Sequence, residues 1–239
     1  MHQRPIVGVT SEIDDRSFVC RRAYAEAILR AGGVPLLLCA PADPDLAEAV
    51  ARRHADAVDA VVFTGGDDPA TEPFGEPTHP AAKVMSAARQ AYETALLRIL
   101  DEPARRATPV LGVCLGMQMM GLVNGGRLDQ HMPDALATAP DHTKDNLHPV
   151  APVVEHAVIR SPGAVPSWHH QALREPGRLR VVARSDDGVI EAVDDPTRPF
   201  YLGVQWHPER APDREHELAD GLFRALIERA REAAAARQA

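Results

Sequence analysis

The sequence predicts an α/β fold in which helices cover both faces of a mostly parallel central sheet, with a small antiparallel extension. Short apolar runs such as residues 6–10 (IVGVT) and 60–64 (AVVFT) alternate with segments of helical periodicity. Strands of parallel sheets have this continuous apolar character because both of their faces are buried. The chain is long enough for one such unit, and we expect a single domain over residues 1–239.

The first half of the chain alternates strand and helix signals. The predicted strands are residues 6–10, 34–39, 60–64 and 110–113, and the predicted helices are residues 18–31, 45–54, 83–100 and 117–122. In the first helix Tyr24 and Ile28 recur at helical spacing, and Gly32 follows as a C-terminal stop. Ligands of parallel sheets bind at the carboxyl ends of the strands, where the Gly-Gly turn at residues 65–66 and Cys114 are predicted to lie.

The second half of the chain differs from the first in composition. Residues 127–166 are rich in Pro, His and Asp, which predicts the antiparallel extension with long loops. Residues 180–183 and 189–193 flank an Asp-Gly turn and predict a hairpin. Residues 200–206 predict a further strand, and an amphipathic helix is expected from Pro212 onward.

Composition excludes several classes of function. The net charge is −8 and no long basic cluster is present, which argues against a nucleic-acid partner or a membrane surface. The three cysteines are widely spaced, which argues against a disulfide framework and for a reducing compartment. The first residues lack the apolar stretch of a signal peptide, so we expect a cytoplasmic protein.

The stretch PVLGVCLGMQ, residues 109–118, places a cysteine where a strand turns into a helix. Cys114 has Gly112 two positions before it and Gly116 two positions after it. A nucleophile at such an apex sits on a strained turn, and glycines relieve the crowding around it. The positive end of the helix dipole favours the reactive thiolate. Taken alone, the stretch fits a buried cysteine beside a glycine turn equally well.

The stretch GVQWHPE, residues 203–209, places His207 and Glu209 two positions apart. On an extended chain such residues point to the same side, so the carboxylate can fix the tautomer of the imidazole and stabilise its charged form. Pro208 cannot continue a sheet ladder, so the pair is expected at the end of a strand. Taken alone, a surface His-Pro-Glu turn is the better interpretation.

Together, GVCLGMQ and GVQWHPE resemble the class I glutamine amidotransferase superfamily, whose active sites hold a Cys-His-Glu triad. The resemblance runs from Ile6 to the last helix and includes VVFTGGDDP. The order PSWHHQAL, ARSDDGVIEAV, FYLGVQWHPE resembles the γ-glutamyl-γ-aminobutyrate hydrolases and related γ-glutamyl hydrolases of peptidase family C26. It implies the flavodoxin-like fold of that superfamily, a small γ-glutamyl substrate and no cofactor.

The resemblance assigns chemical roles. It implies that Cys114 attacks the γ-glutamyl amide and forms a thioester, that His207 acts as general base and then general acid, and that Glu209 orients His207. It also implies that the backbone N–H groups of Gly66 and Leu115 stabilise the oxyanion.

Weaker assignments concern the substrate. The resemblance implies that the glutamyl group is bound by Gly65, Gln118, Ser167, Trp168 and His169. The last three match a loop that acts partly through its backbone; the alternative is a loop stacked on the sheet edge. Phe74 is expected to border the entrance and to accept an apolar chain together with Trp168.

No metal site is expected from the sequence. His131, His142 and His148 lack the spacing of metal ligands, and we interpret them as loop residues. His170 and Gln171 are interpreted as structural.

Departures from the C26 pattern leave open whether the protein works alone or with a partner. Leu115 stands where those hydrolases usually carry Arg, and Arg89-Gln90 stands where an Arg-Asp pair is usual. The Cys-Leu-Gly form is commoner in glutaminases that feed ammonia to a synthase. A stand-alone hydrolase, a glutaminase with a synthase partner and a non-catalytic scaffold are therefore three hypotheses. A homodimer also stays open.

Overall fold

The structure of the protein is a computed structural model that describes residues 4–14 and 16–238. It confirms the predicted fold class: a mostly parallel sheet flanked by helices, with added antiparallel strands. The first three residues of the predicted N-terminal stretch lie outside the described ranges. Among the described residues, no helix is both long enough and apolar enough to cross a membrane.

The predicted strands and helices follow one another in the expected order, with shifted ends, and the structure adds short strands that were not predicted. The strands are β1 (Ile6–Thr10), β2 (Glu12–Ile13), β3 (Phe18–Val19), β4 (Val34–Leu38), β5 (Ala60–Phe63), β6 (Val110–Val113), β7 (Arg127–Asp129), β8 (Asn146–Pro152), β9 (Gly163–Ser167), β10 (Ala172–Glu175), β11 (Arg180–Ser185), β12 (Ile190–Asp194) and β13 (Tyr201–Val204). The helices are α1 (Arg22–Ala31), α2 (Ala47–Ala57), α3 (Ala87–Leu100), α4 (Leu115–Val123) and α5 (Asp220–Gln238).

Within the described ranges, nine strands form one sheet in the order β4-β1-β5-β6-β13-β12-β11-β8-β9. The first five are parallel, and antiparallel pairing begins between β13 and β12. Gly112 of β6 lies opposite Phe63 of β5 on one side and Gly203 of β13 on the other. This register aligns the carboxyl ends of three strands, so the segments that follow them meet at one edge of the sheet.

The sheet has an apolar layer on each face. Val7 and Val9 of β1 pack in one cluster with residues of α1 and α5, such as Ile28. Val61 and Phe63 of β5 pack in the opposite cluster, which includes residues of α2, α3 and α4. Alternate residues of a strand point to opposite faces, so an unbroken apolar run such as AVVF supplies both layers.

Helix starts are where the sequence-based prediction was wrong. Residues 18–21 were predicted as helix, but Phe18 pairs with Ile13 in a small antiparallel ribbon and α1 begins at Arg22. The long helix begins at Ala87 rather than at residue 83, because Lys83 and Met85 exchange backbone hydrogen bonds with Asp68. Turns precede the last helix, which begins at Asp220 and not near residue 212. Apolar periodicity does not record such local pairings.

Candidate active site

Cys114 occupies a sharp turn between β6 and α4. Its backbone has φ 53° and ψ −107°, in the region of positive φ that a residue with a Cβ rarely adopts. A Cβ on Gly116 would clash with the carbonyl oxygen of Phe63, and a Cβ on Gly112 would lie 2.8 Å from the carbonyl carbon of Gly116. Glycine is therefore required at both positions for helix and strand to pack this closely. The strand, strained turn and helix match the nucleophile-elbow geometry.

His207 and Glu209 form a buried pair beside the cysteine. Nδ1 of His207 lies 2.9 Å from Oε1 of Glu209, and the two side chains are almost fully buried. The backbone N–H of His207 donates to the carbonyl of Pro166, which ties the end of β13 to β9. Burial alone would lower the pKa of His207, but the Glu209 carboxylate and the contact with Cys114 raise it to about 9. The imidazole is thus held as a cation near neutral pH.

The cysteine sulfur is fixed by two further contacts. Its Sγ lies 3.8 Å from the carbonyl oxygen of Trp168, and Nε2 of Gln205 donates to Sγ at 3.5 Å. Gln205 lies within GVQWHPE, but its role was not predicted. Sequence position alone does not tell which of its neighbours the amide reaches.

The glycine turn after β5 closes over the cysteine. A Cβ on Gly65 would lie 3.0 Å from Cε1 of His207 and 3.6 Å from Cβ of Cys114. The N–H of Gly65 donates to the hydroxyl of Tyr24 at 3.0 Å. A Cβ on Gly66 would lie 3.0 Å from Cδ2 of Leu115, so the two residues predicted to stabilise the oxyanion are neighbours.

Two cavities meet at Cys114. Both are lined by Gly66, Asp67, Lys83, Cys114 and Trp168. The first, of about 240 Å³, is also lined by Glu12, Arg21, Tyr24, Gly65, His207 and Arg210. The second, of about 270 Å³, is also lined by Asp68, Gln118, His169, His170 and Gln171. A substrate bound across Cys114 would therefore have one cavity for each of the two parts of the molecule that the cleaved bond joins.

Comparison with known proteins identifies the family. Residues 5–209 match the family model of peptidase C26. The chain belongs to the peptidase C26 family. Membership makes it a hydrolase that acts on carbon–nitrogen bonds.

Relatives agree with this assignment, and a solved structure shares the fold. A Mycobacterium tuberculosis protein provisionally named a glutamine amidotransferase is 37% identical over 95% of this chain and 75% of its own. The γ-glutamyl-γ-aminobutyrate hydrolase PuuD of Escherichia coli is 30% identical over 85% of this chain and 83% of its own. A glutamine amidotransferase structure from Thermotoga maritima superposes with a TM-score of 0.62 at 17% identity, over 97% of this chain and all of its own. That likeness concerns the fold alone.

The residues predicted to bind substrate differ in what their side chains do in this C26 protein. Nε2 of Gln118 donates to the carbonyl of Gln171 at 3.1 Å, although Gln118 still lines the second cavity. Ser167 is fully buried and its hydroxyl lies 2.6 Å from His148. Trp168 is 54% exposed and lines both cavities, and His169 lines the second while its ring is buried.

Arg89 is a site-shaping residue that sequence reasoning missed. Its guanidinium is 2% exposed, and Nη2 donates to the carbonyls of Thr64 and Gly65, which lead into the glycine turn. Its Nε donates to Glu93 at 2.7 Å. The spacing of Arg89 and Glu93 by four helical residues was a usable signal for the ion pair, but not for its burial.

Two predictions near the site were wrong. Phe74 lies in a different cavity, of about 560 Å³, whose lining includes Met85 but neither Cys114 nor His207. Phe74 and Trp168 therefore line different cavities among these described residues. His142 and His148 are not simple loop residues: His142 ends a short 3₁₀ helix, His148 lies in β8, and both are buried.

Proposed function

We propose that the protein is a cysteine hydrolase that cleaves the γ-glutamyl amide bond of a small γ-glutamyl compound. One observation carries this proposal: Cys114 lies on a strained elbow beside the buried pair of His207 and Glu209, at the junction of two cavities. The elbow exposes a sulfur to substrate, and the pair supplies an oriented proton carrier. Relationship to a C26 hydrolase of a γ-glutamyl amide supports the substrate class.

The proposed reaction has two halves. The thiolate of Cys114 attacks the amide carbonyl, and the N–H groups of Gly66 and Leu115 stabilise the oxyanion. Imidazolium of His207 donates its proton to the leaving nitrogen, which departs as the amine and leaves a glutamyl thioester. Neutral His207 then takes a proton from water, the hydroxide attacks the thioester, and glutamate leaves as the thiolate is restored.

The cavity linings support an amine product that carries a carboxylate. Arg21, Lys83 and Arg210 line the first cavity next to His207, where the leaving amine would lie. Guanidinium and ammonium groups hold carboxylates well. Lys83 and Arg210 already pair with Asp67 and Asp145, and Glu12 lines the same cavity, so Arg21 is the cation best placed to bind a product carboxylate. γ-Aminobutyrate has this chemistry, and its length suits a compartment of about 240 Å³. Asp67, on the boundary of the two cavities, could bind the amino group of the glutamyl moiety.

The alternative is a glutaminase that supplies ammonia to a separate synthase. The residue after the nucleophile favours it, because Leu115 is the form commoner in glutaminases. Its side chain is buried, however, and its proposed role is through the backbone. The cytoplasmic location, the lack of nucleic-acid and membrane partners and the homodimer stay predictions.

Purified protein without ATP, metal or partner should release glutamate and amine in equal amounts from γ-glutamyl-γ-aminobutyrate. Glutamine is assayed in parallel, and Cys114→Ser controls for contaminating activity. Arg21→Gln should raise KM for γ-glutamyl-γ-aminobutyrate more than KM for glutamine. Arg22→Gln is the matched control, because Arg22 pairs with Glu26 outside the cavity. Activity on glutamine alone, and only after a synthase is added, would establish the alternative.

A further inference from the structure

A second group of buried titratable side chains lies behind the wall of the second cavity. It consists of His142, His148, His169 and Glu191, which are 1%, 5%, 4% and 0% exposed. They come from four segments: a 3₁₀ helix, β8, the loop after β9, and β12. The catalytic proposal uses none of the four side chains for chemistry.

The four side chains converge on one point. Oε1 of Glu191 lies 3.3 Å from Nδ1 of His142, 3.7 Å from Nε2 of His148 and 3.7 Å from Nε2 of His169. One ligand atom from each of the four residues lies within 4.8 Å of the other three, and Nδ1 of His142 lies 3.3 Å from Nε2 of His169. Donors about 2.0 to 2.1 Å from a tetrahedral zinc ion are separated by roughly 3.3 Å, so the observed spacing is close to that of a ligand shell.

The outer nitrogens of the rings are already bonded to acceptors. Nε2 of His142 lies 2.9 Å from a carboxylate oxygen of Asp187, and Nδ1 of His169 lies 3.0 Å from the carbonyl oxygen of Gln171. Nδ1 of His148 lies 3.3 Å from the carbonyl oxygen of Pro149. Such acceptors hold the proton on the outer nitrogen and turn the lone pair of the inner nitrogen toward the centre, as around protein-bound metals.

Glu191 is a fully buried carboxylate whose ion-pair partners are imidazoles. Neither of its carboxylate oxygens makes a hydrogen bond of good geometry within the described part of the chain. An isolated buried carboxylate is costly. A divalent cation would balance the two negative charges of Glu191 and Asp187.

We propose that His142, His148, His169 and Glu191 form a binding site for a divalent transition-metal ion, with Zn²⁺ as the best fit. Three nitrogens and one oxygen at tetrahedral spacing suit Zn²⁺, and four protein ligands leave no open position for catalysis. The hydroxyl of Ser167, 2.6 Å from Nε2 of His148, would be displaced from that nitrogen by the ion.

The site would fasten the loop that borders the cysteine. His169 adjoins Trp168, whose carbonyl oxygen contacts Cys114, and Gln171 accepts hydrogen bonds from both His169 and Gln118. An ion held by His142 and Glu191 would fix this loop against the rest of the sheet. Its role is structural positioning and not chemistry at the amide.

Metal content is measured in the Cys114→Ala background, so that the reactive thiol cannot bind the ion. Protein expressed with added Zn²⁺ and then dialysed should contain one Zn²⁺ per chain by plasma mass spectrometry. Co²⁺ exchanged into the site should give the intense visible absorption of a tetrahedral complex without a thiolate band. Glu191→Gln and His148→Gln should abolish both signals, and His131→Gln should keep them, because His131 belongs to a separate, more exposed His79-His131-Asp134 group.

Because the Glu191 and His148 variants could fail to fold, the parent itself gives an independent test. After chelator treatment, the Tm of Cys114→Ala should rise with Zn²⁺ concentration and saturate at one equivalent. Three results would each overturn the proposal: a parent without stoichiometric metal and without a Tm response, a folded Glu191→Gln protein that retains the ion, or loss of the ion in His131→Gln. The first result would mean that a proton shared between His142 and Glu191 balances the cluster instead.

Discussion

The protein pairs buried histidine with buried carboxylate in two places, with opposite consequences. In the first, Oε1 of Glu209 lies 2.9 Å from Nδ1 of His207, the one imidazole it pairs with, and 3.5 Å from Nε of Arg210, beside the sulfur of Cys114. In the second, Glu191 is shared by His142, His148 and His169 in a closed interior. Burial would lower the pKa of His207, but the Glu209 carboxylate and Cys114 raise it to about 9. In the second region, Glu191 and Asp187 outweigh burial and raise the pKa of His142, whereas burial lowers the pKa of His148 to about 4 and that of His169 well below its usual value.

The balance between burial and the neighbouring carboxylates therefore differs between the two regions. A histidine held near its cationic form can give a proton to a leaving group and take it back from water. His148 and His169, whose pKa values burial lowers, keep lone pairs that can bind an ion. The comparison predicts that losses in the first region reduce turnover with little effect on stability, whereas losses in the second destabilise the fold.

The largest effect is expected at the nucleophile. Cys114→Ala should lower kcat by about 10⁴-fold or more, because loss of a nucleophile removes the covalent route. Its Tm should stay close to that of the parent, since the side chain lost is small. Cys39→Ala is the control and should retain turnover. Steady-state kinetics and thermal unfolding of the three proteins test this, and a Cys114→Ala enzyme with near-parental kcat would break the assignment.

Thiol labelling sharpens the same contrast. Iodoacetamide should modify Cys114 before Cys20 or Cys39, because burial raises the pKa of the latter two thiols and leaves them mostly protonated at neutral pH. Peptide mapping by mass spectrometry at short times gives the order of modification. Faster labelling of Cys20 or Cys39 in folded protein would contradict the proposed mechanism.

The next largest effect is expected at the orienting carboxylate. Glu209→Gln should lower kcat by about 10² to 10⁴-fold, as in related triads, and by less than His207→Ala. The carboxylate raises the pKa of His207, so its removal lowers that pKa below about 9. The alkaline limb of the pH–rate profile, where the imidazolium is lost, should therefore move to lower pH. An unchanged alkaline limb would show that Glu209 does not act through the charge of His207.

What the sequence predicted correctly is local in the chain. Gly112, Cys114 and Gly116 lie within five residues; their spacing left a buried cysteine beside a glycine turn equally open, and the structure contains the strained turn. His207 and Glu209 are two residues apart, and the structure joins their side chains by a hydrogen bond. Short-range geometry of this kind follows from strand and turn stereochemistry.

What the sequence did not predict depends on distant contacts. His142 and Glu191 are 49 positions apart and meet only because β8, β11 and β12 are neighbours in the sheet. The order of these residues in the sequence therefore does not reveal that their side chains have the spacing of metal ligands. The position of Phe74 was wrongly predicted for the same reason. The side-chain amide of Gln90 accepts a hydrogen bond from the N–H of Ala70 and donates one to its carbonyl, and these contacts hold the loop after β5.

A smaller effect, on stability more than chemistry, is expected at Arg89. Arg89→Met should lower the free energy of unfolding by about 3 to 5 kcal/mol, because it leaves the fully buried Glu93 without its partner. Arg22→Met is the matched control: it removes an ion pair with the same helical spacing, but at an exposed position, and should change stability very little. Urea unfolding of both variants provides the comparison, and equal stabilities would contradict a stabilising role for the buried pair.

The smallest effect is expected at Tyr24, whose hydroxyl accepts the hydrogen bond of the Gly65 N–H at 3.0 Å. Tyr24→Phe keeps the ring in the core but leaves that N–H without its acceptor, at a cost of about 1 kcal/mol. If the turn aligns the neighbouring Gly66 N–H for the oxyanion, kcat should fall by roughly fivefold.

Tyr201→Phe is the control, because that hydroxyl contacts Asn124 away from both cavities. It should leave kcat unchanged. A loss of kcat of the same size in both variants would mean that the effect is general destabilisation, whereas a loss confined to Tyr24→Phe would tie the turn after β5 to the chemistry at Cys114.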